Sequence, residues 1–153
     1  MTITHRNHKT IRGRKTQVRE NNVPYEAWQT GGRTMHAEVL QGLPYQLLED
    51  LQVFLQFAVA QVADLLQVPM RTLARRKSKG RLDPVESDRL ARVTTIVGEA
   101  VDLFEGNGAS ARLWLSRPNL ALGGLSPLNL VRTDVGSREV SRLISRLEHG
   151  VFS

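Results

Sequence analysis

The stretch from Ala109 to Ser153 carries its own starts and stops, and these dictate a compact helical unit. Pro118 biases Arg117 away from helical angles, so a short helix through Trp114 and Leu115 must end there. Gly123-Gly124 supplies a tight turn. Ser126-Pro127 reads as a helix start, a hydroxyl cap followed by proline at the first helical position. Thr133 caps a further helix, with Asp134 near its positive end. That helix sets Val140, Leu143, Ile144 and Leu147 at i, i+3, i+4 and i+7, which makes one apolar face. Gly136 lies one turn before Val140 on the same face, where a missing side chain lets another backbone approach. Gly150 is a C-terminal stop, and the apolar pair Val151-Phe152 follows it. Trp114 is expected in the core.

The residues before it, from Pro44 on, repeat the helical spacing. From Pro44, Leu47, Leu48, Leu51, Phe54 and Leu55 share a face, and Val59, Val62, Ala63 and Leu66 form a second. Gln67-Val68-Pro69 breaks the run, and Met70 to Lys77 makes a short third helix with Leu73 turned inward. Asp83-Pro84-x-Glu86 opens a long helix whose apolar face is Leu90, Val93, Val97, Val101 and Phe104. Glu105-Gly106-Asn107-Gly108 ends it and marks a domain boundary. The fold class is all-α. Residues 1–43 are a basic, partly disordered arm, 44–106 one helical domain and 107–153 a second.

Composition closes off several functions. A chain of 153 residues can bury roughly 70% of its unfolded surface, enough for a core. There is no cysteine, which removes disulfides and thiolate metal sites and fits a cytoplasmic protein. No apolar run is long enough to span a membrane, and the basic start is no signal peptide. The four histidines, at 5, 8, 36 and 149, have no metal-ligand spacing. No catalytic constellation or phosphate loop is visible, so neither an enzyme nor a cofactor is expected.

Charge is distributed unevenly. Residues 1–20 hold six Lys/Arg against one acid, a net of +5 out of the total +6. In the balanced remainder, Arg71, Arg75, Arg76, Lys77, Lys79 and Arg81 crowd one stretch without an acid, a footprint suited to phosphate. Helix, break, short basic helix and long helix is the order of a helix-turn-helix unit. Small Ala63 lets two helices cross closely, and Leu66, Val68 and Leu73 pin the second against the first. The second then offers its outer side to a major groove. DNA contacts are therefore expected from Met70, Arg71, Thr72, Arg75, Arg76 and Lys77. Gln61-Val62-Ala63-Asp64-Leu65-Leu66-Gln67-Val68 followed by Arg71-Thr72-Leu73 resembles the Xre-type version. Gln67 stands where that turn commonly has glycine, Pro69 where a Ser or Thr cap is usual, and Lys77 where an apolar residue would lock the helix down.

The C-terminal succession Trp114-Leu115, Pro118-Asn119, Ala121-Leu122-Gly123, Ser126-Pro127-Leu128, Thr133, Gly136 and Arg146-Leu147-Glu148-His149-Gly150-Val151-Phe152 resembles the toxin-binding domain of the Xre/MbcA/ParS antitoxins. The resemblance implies an antitoxin that neutralises a RES-type, NAD-consuming toxin by occluding its active site. It also implies a homodimer that represses its own promoter by binding operator DNA. Toxin contacts are expected from Arg138, Arg142, Arg146, Glu148, His149, Val151 and Phe152. The rival reading is a stand-alone helix-turn-helix regulator whose C-terminal domain dimerises or senses a ligand.

Overall fold

The computed structural model describes residues 35–150. The expected arm up to residue 34 and the apolar pair Val151-Phe152 lie outside the described residues. The elements are α1 (Met35–Gln41), α2 (Tyr45–Leu55), α3 (Val59–Leu66), α4 (Met70–Lys79), α5 (Pro84–Leu103), α6 (Gly108–Ser116), a 3-10 turn (Leu120–Leu122), α7 (Pro127–Leu130) and α8 (Asp134–Glu148). The fold is all-α: among the described residues there are eight α-helices and no strand.

Residues 35–43 do not share the arm's expected character. They form α1, which packs on α5 and buries Val39, while Leu43 behind it is fully enclosed. Too few periodic apolar positions occur there for the sequence pattern to stand out.

The 20 residues of α5 span about 30 Å and make this helix the spine. It packs against α1, α3, α6 and α8. Its start follows the Asp83-Pro84 signal: the Glu86 carboxylate accepts the Asp83 backbone N–H at 2.9 Å. Because α5 serves both halves, one continuous core runs from Val39 through Leu48, Val62, Leu73, Val97 and Leu115 to Ile144. Near the start of α5, two connecting segments are sewn together. Leu82 N–H donates to Leu43 C=O at 2.9 Å, Tyr45 N–H to Gly80 C=O at 2.9 Å, and the Leu43 N–H to Ser87 Oγ at 2.8 Å. Arg81 completes the seam by donating to the Gly42 carbonyl at 2.7 Å.

The C-terminal half follows its caps. Asn107, Ser126 and Thr133 each accept a backbone N–H at the start of α6, α7 and α8. Gly136 fits against the α7 end so closely that a Cβ there would lie 2.0 Å from the Leu130 carbonyl oxygen. Val140, Leu143 and Ile144 are buried, and Leu147 is partly so. Trp114 packs against the core, as expected. It is half-buried rather than enclosed, tilted against Phe104 with ring centroids 6.3 Å apart. The buried position one residue on is Leu115.

Candidate DNA interface and toxin-binding surface

The helix-turn-helix is formed by α3 and α4. Gln67 ends α3 in the left-handed conformation (φ 55, ψ 44), and its N–H returns to the Asp64 carbonyl at 3.1 Å. A non-glycine residue in this geometry costs on the order of 1 kcal/mol. The cost is offset by the apolar anchors on either side: Leu66, Val68 and Leu73 are all buried, Leu73 at 1% exposure. Arg89, from α5, adds a further hold by donating to the Leu66 and Gln67 carbonyls at 3.2 and 3.0 Å. A guanidinium is suited to that position, because the last carbonyls of a helix carry partial negative charge and lack partners within the helix. The sequence gives no sign of this role for Arg89, which looks like any surface position of an amphipathic helix.

On α4, Met70, Arg71, Ala74, Arg75 and Ser78 form the exposed side opposite Leu73. Pro69 precedes the helix without a side-chain cap, so the first backbone N–H groups of α4 are open at the end nearest Arg71. Thr72 is half-buried. Lys77 points to the α2 side, 3.5 Å from Glu49, and remains exposed.

Arg76 departs from the expected set. It lies on the Leu73 side, its side chain 11% exposed, and its Nε and Nη2 bond the two Glu86 oxygens at 2.8 and 3.0 Å. Nη2 also meets Asp83. Arg76 therefore ties α4 to the start of α5 and is committed inside the fold. Burial alone would raise the Glu86 pKa. The Arg76 hydrogen bond, the Asp83 N–H and the charges of Arg76 and Arg75 outweigh it, and the carboxyl is held below its ordinary value. An isolated basic cluster hides this fate, since the acids that capture Arg76 lie seven and ten residues further on.

The expected toxin-contact side of α8 is divided. Arg138 pairs with Asp134 at 2.8 Å and faces the groove between α5 and α8, lined also by Arg92, Thr95, Glu99 and Ser141. Arg142 and Arg146 lie on the other flank with Glu139 and Ser145, in a groove shared with Ala121 and Leu122 of the 3-10 turn. Neither has an ion-pair partner among the described residues. Glu148 is exposed, and His149 closes the helix with Nδ1 2.7 Å from the Ser145 carbonyl oxygen. The 3-10 turn also presents Leu120, 96% exposed. In the α5–α8 groove, one oxygen of Glu99 is buried without a hydrogen-bond partner. Burial raises its pKa, with Asp102 and Glu148 adding to the effect and a Ser141 hydrogen bond opposing it.

A helix-turn-helix followed by a small capped helical domain defines the class: a two-part protein with one surface suited to DNA and another built on its last helix. Residues 34–94 match the Antitoxin Xre-like helix-turn-helix domain, and residues 99–150 match the Antitoxin Xre/MbcA/ParS C-terminal toxin-binding domain. The two meet within α5. Among similar proteins, Antitoxin Xre of Yersinia enterocolitica is 37% identical over 123 residues, 80% of this chain and 83% of that one. Antitoxin Xre of Photorhabdus laumondii is 33% identical over 125 residues, 81% of this chain and 84% of that one. A Sphingobium protein named Prs ADP-ribosylating antitoxin is 27% identical over 99 residues, 59% of this chain and 62% of that one. The chain belongs to the Antitoxin Xre family. No helix among the described residues is long and apolar enough to cross a membrane.

Proposed function

We propose that the chain neutralises a RES-type, NAD-consuming toxin by occluding its active site, and that it represses its own promoter as a homodimer. The observation that carries this reading is the unpaired flank of α8. Arg142 and Arg146 sit together beside a groove, in the second half of α8. A cleft that accommodates NAD holds a pyrophosphate and the acids that act on the bound sugar. Basic side chains and a following carboxylate can occupy both kinds of position. The name of the Sphingobium relative, which refers to ADP-ribosylation, points to the same chemistry.

Promoter binding would run through Arg71 and Arg75 on the outer side of α4, with Met70 and Thr72 nearby and Lys77 against a flanking phosphate. Arg76 takes no part, because its guanidinium is engaged with Glu86 and Asp83.

The test is co-expression with the product of the adjacent reading frame. The two proteins are expected to co-purify, and growth arrest by the partner alone is expected to be relieved. A mobility-shift assay on the upstream DNA should show Arg71→Ala costing about 1–3 kcal/mol with relaxed specificity if it reads a base. An even loss across sequences with a shallower salt dependence identifies a phosphate contact instead. An Arg71→Ala, Arg75→Ala double variant that shifts promoter DNA like the wild type would remove α4 as the reading surface.

A further inference from the structure

We infer that Arg132 is a positioning residue for DNA binding: from the C-terminal domain it grips the carbonyl end of α3 and so helps to set the direction of α4. This rests on the reading of α4 as the DNA-contacting helix.

Arg132 and Asp64 are 68 residues apart in sequence. Arg132 Nη2 pairs with the Asp64 carboxylate and lies 3.3 Å from the Asp64 carbonyl oxygen. That same carbonyl accepts the N–H of Gln67, the left-handed residue at which the chain turns from α3 into α4. The guanidinium thus touches an acceptor that defines the turn. Arg89 of α5 holds two further carbonyls at this end, those of Leu66 and Gln67. The end of α3 is gripped by two arginines, one from the spine and one from the toxin-binding domain.

The Arg132 end of this strap is itself fixed. Val131 before it is buried, and Thr133 after it caps α8 by accepting the Gly136 N–H at 3.0 Å. Gly136 is pressed against the Leu130 carbonyl, so the turn carrying Arg132 moves with α8. A protein docked on α8 therefore has a short, continuous route to the α3–α4 turn.

The pair is not a core strut. The Arg132 side chain is 32% exposed and that of Asp64 75% exposed. Exposed pairs of this kind contribute little to global stability. Their loss is expected to alter the turn rather than unfold the chain.

The test uses the full chain with Arg132→Ala, Asp64→Asn and the double variant, measured by fluorescence anisotropy on upstream promoter DNA. Amide hydrogen exchange over residues 67–73 and the melting temperature are read in parallel. Both single variants are expected to weaken promoter binding about three- to tenfold, in the range seen when positions away from a ligand modulate its binding. The double variant should be no weaker than either single. Exchange at Gln67 and Val68 should quicken, with the melting temperature within about 2 °C of the wild type. Asp64→Asn separates positioning from contact. Were Arg132 simply a phosphate ligand, removing the nearby carboxylate would tighten DNA binding, and that result would overturn the inference. Wild-type affinity in Arg132→Ala would overturn it too. If the wild-type chain does not bind its promoter at all, it is the DNA reading that fails. The exchange measurement then stands alone, and unchanged protection of the turn in Arg132→Ala overturns the positioning role.

Discussion

Gly136, the buried Glu86 and the half-buried Glu99 of α5 show how much single positions decide here. Replacing a helical glycine with alanine ordinarily stabilises by up to about 1 kcal/mol. At Gly136 the added Cβ would stand 2.0 Å from a backbone oxygen, which cannot swing aside as a side chain would. The clash wins, and Gly136→Ala is expected to destabilise by about 1–3 kcal/mol in chemical denaturation. Glu86 and Glu99 behave oppositely on the same helix. The Glu86 carboxyl is held below its ordinary value by Arg76 and the Asp83 N–H. Its stabilising contribution is therefore full above the unfolded-state value and is lost as pH falls through the folded-state value. Glu99 is raised by burial, so its ionisation works against the fold, and stability falls as pH climbs through its titration. Glu86→Gln should lower the melting temperature at neutral pH and flatten the acid side of the stability profile. Glu99→Gln should raise the melting temperature at neutral pH and keep it nearly unchanged at pH 4. A reversed pair of shifts would contradict the assigned environments.

At the scale of the element, α8 divides its arginines between two flanks. If the flank with Arg142 and Arg146 engages the toxin, Arg142→Glu with Arg146→Glu should abolish neutralisation in cells. Arg138→Ala, whose side chain belongs to the α5 groove, should retain it. Promoter binding should survive in both. Loss of neutralisation in Arg138→Ala alone would shift the contact to the α5 groove. Deleting residues 151–153 probes the chain end separately. The existence of α8 was legible because its cap Thr133, its apolar spacing and its stop at Gly150 are local signals. The division of its basic residues was not. It depends on how α8 is rotated between α5 and the 3-10 turn, a tertiary quantity with no counterpart in spacing. The same holds for α4. Leu73 inside and Arg71 and Arg75 outside follow from period, whereas the capture of Arg76 follows from where Glu86 arrives in space. Arg89 and Arg132 were illegible for the same reason, since both act on backbone carbonyls that no sequence pattern names.

The whole molecule must place two copies of α4 on DNA if it acts as a homodimer. A two-fold pair of such helices about 34 Å apart matches successive major grooves on one face of the duplex, so the operator is expected to be an inverted repeat. The apolar face of α5 is largely consumed within the core, by Leu90, Val93, Ile96, Val97 and Val101, and leaves only Val85, at the helix start, among its exposed large hydrophobics. Among the described residues, the exposed leucines of the C-terminal domain are Leu120, Leu125 and Leu113, the first almost fully exposed. Singly exposed leucines need no explanation, but Leu120 and Leu125 flank the same Gly123-Gly124 turn. Leu120→Glu with Leu125→Glu is expected to yield monomers by light scattering at micromolar concentration, with the melting temperature little changed, since neither side chain is enclosed. Such a monomer should bind a half-site with the wild type's salt slope per half-site, because the Lys and Arg contacts to phosphate are untouched. It should lose the tight binding that comes from engaging both half-sites at once. A variant that remains dimeric and binds the full operator normally would move the interface away from the 3-10 turn. A wild-type chain that is monomeric under the same conditions and protects only one half-site would remove the two-fold arrangement altogether.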